Sequence, residues 1–182
     1  MNAVHSDHFG SKPVAIGSYQ IWPGGAVYFM PGDFDGGANF VLIPLAEEEG
    51  IPPYVMRMAE YSVLACPMTD FGGVPDNWEN FLRSQVIPKL AAGQHLIPFC
   101  KGGHGRTGTL IASLIAILEP SVTDPIAAVR ERYCSFAVET IEQGTAIFAL
   151  AGQPLPMKYQ SGPGQLAVKK QLPSTQYKKK KK

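Results

Sequence analysis

The amino-acid sequence predicts an α/β domain in which a mostly parallel central sheet is flanked by helices. Short apolar runs bounded by glycine and proline, which are typical of buried strands, alternate along the chain with longer segments of helical periodicity. This alternation favours parallel strands joined by crossover helices. The length of 182 residues is enough to bury a core without disulfide or metal staples.

Four short segments have the composition of strands. Residues 26–30 and 39–43 lie on either side of a turn-rich segment, residues 61–66 form a third run, and residues 95–99 form a fourth. Residues 1–25 mix glycine, proline and serine with few periodic apolar positions. We therefore expect this N-terminal segment to be irregular structure on the surface.

Five helices are predicted between and after these strands. Asp76 is placed to cap the second helix, and Asp124 followed by Pro125 is a start signal for the fourth. The pair Glu119-Pro120 ends the third helix. The predicted helices span residues 52–59, 76–90, 105–118, 124–133 and 140–150.

The charge of the chain is divided between its two ends. The net charge is +1, yet eight of the sixteen Lys and Arg residues lie in residues 158–182, which contain no acid, so residues 1–157 carry a charge of −7. We predict a domain over residues 26–153 and a flexible lysine-rich tail over residues 154–182. Such a tail either contacts an anionic membrane or nucleic acid, or only keeps the protein soluble.

Several classes of protein are disfavoured by composition. No run approaches the roughly 18 apolar residues of a membrane span, and the N-terminus does not read as a secretory signal. We therefore expect a cytoplasmic protein. Cys66, Cys100 and Cys134 are odd in number and widely spaced, which argues against a disulfide framework or a zinc site and permits a reactive thiol.

The segment between the fourth strand and the third helix carries the strongest chemical signal. It begins at Cys100 and continues Lys-Gly-Gly-His-Gly to Arg106 and Thr107. Its glycines allow the backbone to curl with the N–H groups pointing inward, and the helix adds its N-terminal dipole, so the loop can bind phosphate. The same field stabilises a nucleophilic thiolate at Cys100. Arg106 is placed to contact two phosphate oxygens, and Thr107 to offer its hydroxyl to the sulfur.

The rest of this loop supplies the substrate-binding candidates. The side chains of Lys101 and His104 either contact the substrate phosphate or point outward into solvent, since side chains on a curled loop tend to face away from its centre. The full set is Lys101, Gly102, Gly103, His104, Gly105 and Arg106.

This segment resembles the Cys-x5-Arg-Ser/Thr phosphate loop of the protein tyrosine phosphatase superfamily, and the compact chain resembles its dual-specificity subgroup. Thirty residues upstream, residues 68–75 (Met-Thr-Asp-Phe-Gly-Gly-Val-Pro) are similar to the family's mobile acid loop, with one extra glycine. The resemblance implies that Asp70 protonates the leaving oxygen and later deprotonates the attacking water. Asp76 is the rival acid in the same loop.

A weaker similarity lies in residues 138–143, which resemble the family's glutamine-bearing loop. Gln143 matches the second glutamine, and the resemblance implies that it positions the hydrolytic water; its other interpretation is an ordinary amide on the helix surface. Glu139 stands in place of the first glutamine. The chain also has Phe99 where the family usually has a histidine that supports the loop by hydrogen bonding, and Pro98 removes a ladder donor from a central strand.

Taken together, the resemblance implies hydrolysis of phosphate monoesters through a phosphocysteine intermediate, without metal or cofactor. The expected substrate is protein phosphotyrosine, with phosphoserine and phosphothreonine as further candidates. Lys101, His104 and the lysine tail leave open a phosphoinositide or nucleic-acid 5′-phosphate phosphatase, although the charge of residues 1–157 would repel a polyanion. Phe99 and Glu139 leave open a phosphate-binding pseudophosphatase.

Overall fold

A mixed sheet occupies the centre of the computed structural model, which describes residues 12–26, 39–46 and 62–160. The described strands, numbered β1 to β6 in chain order, are Val14–Ile16, Tyr19–Ile21, Gly24–Gly25, Phe40–Pro44, Ser62–Val63 and His95–Cys100. Their order in the sheet is β1-β2-β6-β4-β5, with β3 also paired to β6. Among these strands, β1 and β2 are antiparallel and the other pairs are parallel, so the mostly parallel sheet predicted from sequence is confirmed.

Helices flank this sheet. The described helices α1 to α5 are Trp78–Phe81, Ile87–Ala91, Gly105–Leu118, Pro125–Arg132 and Ile141–Leu150, and a 3-10 helix covers Met157–Tyr159. The predictions for α3, α4 and α5 are confirmed. As expected for a local start signal, Asp124 caps α4 by accepting the N–H of Ala127 at 2.9 Å, and Thr140 caps α5 by accepting the N–H of Gln143 at 3.1 Å.

The segment predicted as one helix over residues 76–90 is divided. A π-helical turn, Leu82–Val86, separates α1 from α2. Pro88 has no N–H for the carbonyl of Ser84, and its ring would crowd that carbonyl, so a wider turn fits here. The prediction that Asp76 caps this segment is wrong: the N-cap residue is Asn77, and the N–H of Trp78 already bonds the carbonyl of Pro75 at 2.9 Å.

The expected irregular structure of the N-terminal segment is also wrong for residues 14–25, which form β1, β2 and β3. These strands have only two or three residues each, too few to show a period-two pattern. They are held by pairing with β6 and by the full burial of Ile16 and Ile21. The predicted strand over 26–30 and helix over 52–59 lie almost wholly outside the described residues.

Pro98 is accommodated in β6 by a gap in the neighbouring strand. The N–H of Trp22 donates to the carbonyl of Leu96 at 2.9 Å, so the even-numbered residues of β6 direct their backbone groups towards β2 and β3. Pro98 therefore lacks its donor on the side where the chain leaves the ladder at Pro23, between β2 and β3. Because Pro98 lies beside this gap, its missing N–H costs the sheet few hydrogen bonds.

The core lies between the sheet and α3. Every residue of α3 from Gly105 to Ala116 is buried, which is the pattern of a helix enclosed on all sides. Trp78 packs on this helix and donates its indole N–H to the hydroxyl of Ser113 at 3.0 Å. In the described part of the chain, no helix is both long enough and apolar enough to cross a membrane.

The chain remains part of the folded domain up to residue 160, so the prediction of a flexible tail from residue 154 is wrong for residues 154–160. Leu155 and Tyr159 are buried. The hydroxyl of Tyr159 lies 3.0 and 3.1 Å from the carboxylate oxygens of Asp124, which also binds Lys158. Burial of two apolar side chains and a shared carboxylate attach this segment to α4. The lysine-rich remainder of the tail lies outside the described residues.

Glu119 connects three elements at the C-terminal end of α3. Its carboxylate accepts the N–H of Gly17 at 2.6 Å and two guanidinium N–H groups of Arg132 at 2.7 and 2.8 Å. The hydrogen bonds from Arg132, above all, lower the pKa of Glu119 below its ordinary value of 4.5. The β1-β2 turn, α3 and α4 thus share one bidentate ion pair.

Because the pKa of Glu119 is lower in the folded protein, its contribution to stability is complete above the ordinary pKa and disappears as the pH falls through the folded value. We predict that Glu119→Gln lowers the free energy of unfolding by about 1–2 kcal/mol at pH 7. Urea unfolding of both proteins measures this difference. The difference should shrink as the pH is lowered below 4.5; an equal difference at pH 7 and in acid would mean that the ion pair does not stabilise the fold.

Candidate active site

The site is built around the C-terminal end of β6, where Cys100 is buried with an exposed fraction of 3%. The hydroxyl oxygen of Thr107 lies 3.2 Å from the sulfur, the contact expected from the sequence, and 3.3 Å from the carbonyl of Gly24. Its one hydrogen is shared between these two acceptors. The carboxyl ends of parallel strands are where open α/β sheets bind ligands.

The loop after Cys100 is in backbone contact with β3. Gly103 has φ of +77°, and a Cβ there would lie 2.8 Å from the nitrogen of Gly25. In the reverse direction, a Cβ on Gly25 would lie 2.6 Å from the carbonyl carbon of Gly102. Side chains are excluded on both sides, so the loop takes its shape from glycine pairs. The role of Gly25 was missed in the sequence, where the only signal was the doubled glycine after Pro23.

Arg106 connects this loop to the acid loop, residues 68–75. Its guanidinium is buried, donates to the carbonyl of Met68 at 3.1 Å and pairs with the carboxylate of Asp70 at 2.8 Å. The Asp70 side chain is 59% exposed, so the pair lies at the mouth of the site. The structure therefore brings Cys100, Arg106, Thr107 and Asp70 together. Asp76, the rival acid, is an exposed residue next to the N-cap of α1.

Gln143 is fully buried at the start of α5, so its interpretation as an ordinary surface amide is wrong. Its amide nitrogen donates to the carbonyl of Gly72 at 3.0 Å, and its amide oxygen accepts the N–H of Glu139 at 2.9 Å. A buried amide with both functions bonded fixes the position of its neighbours. Gln143 thus joins the acid loop to the loop before α5.

Glu139 places a second carboxylate beside the phosphate-binding loop. It accepts the N–H of Gly105, and a Cβ on Gly105 would lie 1.9 Å from its Oε2. Burial, and then the charge of Asp70, raise the pKa of Glu139, while Arg106 and the Gly105 N–H act in the opposite direction. In the sequence, Glu139 stands in place of a glutamine and leaves open a pseudophosphatase, and no signal predicts its contact with Gly105.

Arg130 fixes the loop that carries Glu139. Its guanidinium donates to the carbonyls of Ala137 and Val138 at 2.9 and 3.0 Å. Val138 has φ of +63°, a conformation that is strained for a β-branched residue and is held here by these bonds. No motif indicated Arg130 in the sequence, because the contact depends on how α4 packs.

The side chains of Lys101 and His104, on the loop after Cys100, have different surroundings. Lys101 is exposed, and Nδ1 of His104 lies 3.3 Å from the sulfur of Cys134. The hydroxyl of Tyr133 donates to the carbonyl of Gly103. Burial raises the pKa of the Cys134 thiol, which therefore stays neutral. Within the described residues, no group of three or more His, Cys, Asp and Glu is arranged to hold a metal ion.

Comparison with known sequences gives partial matches. No family model matches the chain. It is 48% identical over 90 residues to an uncharacterized protein of Methanocaldococcus jannaschii, covering 50% of this chain and 54% of that protein. It is 30% identical over 97 residues to a protein of Invertebrate iridescent virus 6 that is named as a tyrosine phosphatase, covering 50% of this chain and 35% of the viral protein. The matches thus span about half the length of these curated relatives, or less.

Solved structures match more of the chain. Tk-PTP in its active form has a TM-score of 0.61 at 20% identity, covering 78% of this chain and 97% of that chain. Kinase associated phosphatase, with its catalytic site cysteine replaced by serine, has a TM-score of 0.55 at 16% identity, covering 77% and 93%. The chain therefore has a fold like that of these two proteins, a mostly parallel sheet flanked by helices, as the resemblance implied.

A third solved structure is also similar. PTPMT1 in complex with PI(5)P has a TM-score of 0.51 at 18% identity, covering 62% of this chain and 76% of that chain. In this chain, the fold places β6 at the centre of the sheet and the glycine loop between β6 and α3. The backbone contact with β3 should therefore be essential for the loop.

We predict that Gly103→Ala is more destabilising than Gly93→Ala. The two glycines have φ of +77° and +74°, so the conformational cost of alanine is shared, but nothing lies within 4 Å of a Cβ on Gly93. The contact with β3 should add about 1–3 kcal/mol at Gly103. Urea unfolding of the two variants measures this. Equal losses would show that the loop moves away from β3 and accepts a methyl group.

Proposed function

We propose that this chain is a cysteine-dependent phosphatase that hydrolyses protein phosphotyrosine, and also phosphoserine and phosphothreonine, through a phosphocysteine intermediate. The observation that supports this best is the position of Arg106. Its guanidinium lies between the loop that begins at Cys100 and the acid loop, and it pairs with Asp70 at 2.8 Å. A nucleophile, a phosphate-binding cation and an acid thus meet at one point, as acyl or phosphoryl transfer requires.

In the first step, the thiolate of Cys100 attacks phosphorus, the S–P bond forms, and the bond from phosphorus to the ester oxygen breaks. The loop N–H groups and the bidentate guanidinium of Arg106 stabilise the charge on the transferring phosphoryl group. Arg106 exchanges its carboxylate partner for phosphate oxygens when substrate binds. Asp70, released from Arg106, takes up a proton from solvent and gives it to the leaving oxygen.

In the second step, water attacks the phosphocysteine. Asp70, now a carboxylate, takes a proton from this water, the S–P bond breaks, and the Cys100 thiolate and inorganic phosphate are formed. Thr107 donates its hydroxyl to the departing sulfur, from which it lies 3.2 Å away. Gln143 acts as a positioning residue for the water through the loop that it holds. No metal or cofactor is needed for this sequence of steps.

Charge at the mouth of the site favours a phosphoprotein over a phosphoinositide or a nucleic acid. Asp70 is exposed there, Glu139 lies against Gly105, and the Cβ of Glu142 approaches Gly73 of the acid loop. Lys101 is the exposed basic residue of the phosphate loop. Three carboxylates against Lys101 and Arg106 leave an excess of negative charge at the mouth, which disfavours additional phosphates on a substrate. PTPMT1, whose structure contains PI(5)P, makes the lipid the alternative that the assay must include.

Two further expectations concern the surroundings of the enzyme. The cytoplasmic location stays a prediction from sequence. Contact of the lysine tail with an anionic membrane or nucleic acid also stays a prediction, since residues 161–182 lie outside the described residues. Either contact would act on localisation or substrate supply and leaves the chemistry at Cys100 unchanged.

We predict that Cys100→Ser lowers kcat by at least about a thousandfold and retains the fold, because a hydroxyl is far less ionised than a thiol. Para-nitrophenyl phosphate, phosphotyrosine peptides, phosphothreonine peptides and phosphoinositides are assayed with both proteins, and orthovanadate binding is measured by calorimetry. Turnover near the wild-type rate would overturn the mechanism. Wild-type protein that binds orthovanadate without turnover is a pseudophosphatase. A preference for phosphoinositides over the phosphopeptides would show that the substrate is a lipid and not a phosphoprotein.

We predict that Asp70→Asn lowers kcat/KM, which reports the first step, by about a hundredfold or more on an alkyl or phenyl phosphate and by much less on para-nitrophenyl phosphate. The nitrophenolate ion leaves without a proton, so it does not need the acid. Asp76→Asn is the matched control and should leave both rates unchanged within about twofold. If Asp76→Asn shows the dependence on the leaving group and Asp70→Asn does not, the acid is Asp76.

A further inference from the structure

Two consecutive residues after α4 contact the phosphate loop from its outer side. The hydroxyl of Tyr133 donates to the carbonyl of Gly103, and the sulfur of Cys134 lies 3.3 Å from Nδ1 of His104. The pair Tyr133-Cys134 therefore holds the peptide that joins Gly103 to His104, by its carbonyl and by the side chain that follows it.

This peptide has a defined orientation in an anion-binding loop. The carbonyl of Gly103 and the N–H of His104 belong to one planar unit and point in opposite directions. In a curled loop the N–H groups face the anion and the carbonyls face outward. A donor on the outer carbonyl therefore aims the N–H of His104 inward and polarises it.

The backbone freedom of Gly103 is the reason that this peptide needs to be held in one orientation. Its φ of +77° is possible because glycine has no Cβ, and the same freedom allows the flanking peptide planes to rotate. The usual support of such loops, a histidine before the cysteine, is replaced by Phe99, whose phenyl ring has no N–H to donate. Support from outside the loop can take its place.

Tyr133 is suited to act as a permanent donor. Burial, above all, raises its pKa, so the hydroxyl keeps its hydrogen throughout the pH range in which a phosphatase works. A neutral phenol does not act as a base, and the one hydroxyl hydrogen of Tyr133 is donated to the carbonyl of Gly103. Its effect on the reaction passes through the backbone of the loop.

We infer that Tyr133 is a positioning residue of the active site, which fixes the Gly103-His104 peptide so that the N–H of His104 binds the substrate phosphate. This inference rests on the proposed function. It assigns to this chain a loop support that comes from the end of α4 and takes the place of an imidazole at residue 99.

Tyr133→Phe removes the hydroxyl alone. It should weaken orthovanadate binding about three- to tenfold, the value of one lost hydrogen bond, and should lower kcat/KM for para-nitrophenyl phosphate to a similar extent. Tyr159→Phe is the matched control, because this buried residue's hydroxyl binds Asp124 at 3.0 and 3.1 Å, at the opposite end of α4 from Tyr133. It should lower thermal stability and leave orthovanadate binding unchanged.

A second measurement separates loop geometry from general loss of stability. The amide proton shift of His104, followed by NMR in the full-length chain, should move in Tyr133→Phe and stay in place in Tyr159→Phe. Unchanged orthovanadate affinity in Tyr133→Phe, or an equal loss in Tyr159→Phe, would overturn the inference. Wild-type protein that binds orthovanadate without turnover would overturn the proposed function alone, and wild-type protein that does not bind it would overturn both.

Discussion

Backbone contact between Gly24–Gly25 and the loop that contains Gly103 determines where every other group of the site can lie. These two backbone segments approach so closely that a Cβ at Gly25 or Gly103 would be under 3 Å from the opposing backbone. β3 pairs with the end of β6, so the loop leaves the sheet at Cys100 with its direction already fixed. Thr107 lies in the first turn of α3 and adds a second contact with β3, because its hydroxyl lies 3.3 Å from the Gly24 carbonyl.

Charge balance is the second constraint, since Arg106 is a buried cation. A buried charge is tolerated where it is paired and hydrogen-bonded, and here Asp70 and the Met68 carbonyl supply both. Glu139 adds a carboxylate whose pKa is raised by burial and by Asp70. The two acids therefore differ: one is exposed and paired with the guanidinium, and the other is half-buried and bonded to a backbone N–H. Environments that differ in this way give neighbouring carboxylates different tasks.

The parts of this fold that could be predicted from sequence are those with local causes. Asp124 starts α4 and Thr140 starts α5 through bonds to residues three positions away, and the loop after Cys100 is specified by its own glycines. β1 to β3 could not be predicted, because strands of two or three residues owe their structure to β6. The contacts of Arg130 and Tyr133 were missed for the same reason. Each side chain donates to a backbone carbonyl that is distant in the sequence or lies in a loop without a repeating pattern.

Three loops of the site are joined into one unit by hydrogen bonds between side chains and backbone groups. Gln143 donates to Gly72 in the acid loop and accepts from Glu139, whose carboxylate accepts the N–H of Gly105. A movement of the acid loop that breaks the bond to Gly72 would leave a buried amide unsatisfied, at a cost of about 1–3 kcal/mol. The position of Asp70 is therefore stabilised by α5 as well as by Arg106. Because the Glu139 carboxylate contacts Gly105 while Gln143 bonds both Glu139 and Gly72, the acid loop and the loop after Cys100 are connected through the loop before α5. A displacement of either loop would therefore disturb the hydrogen bonds that hold the other.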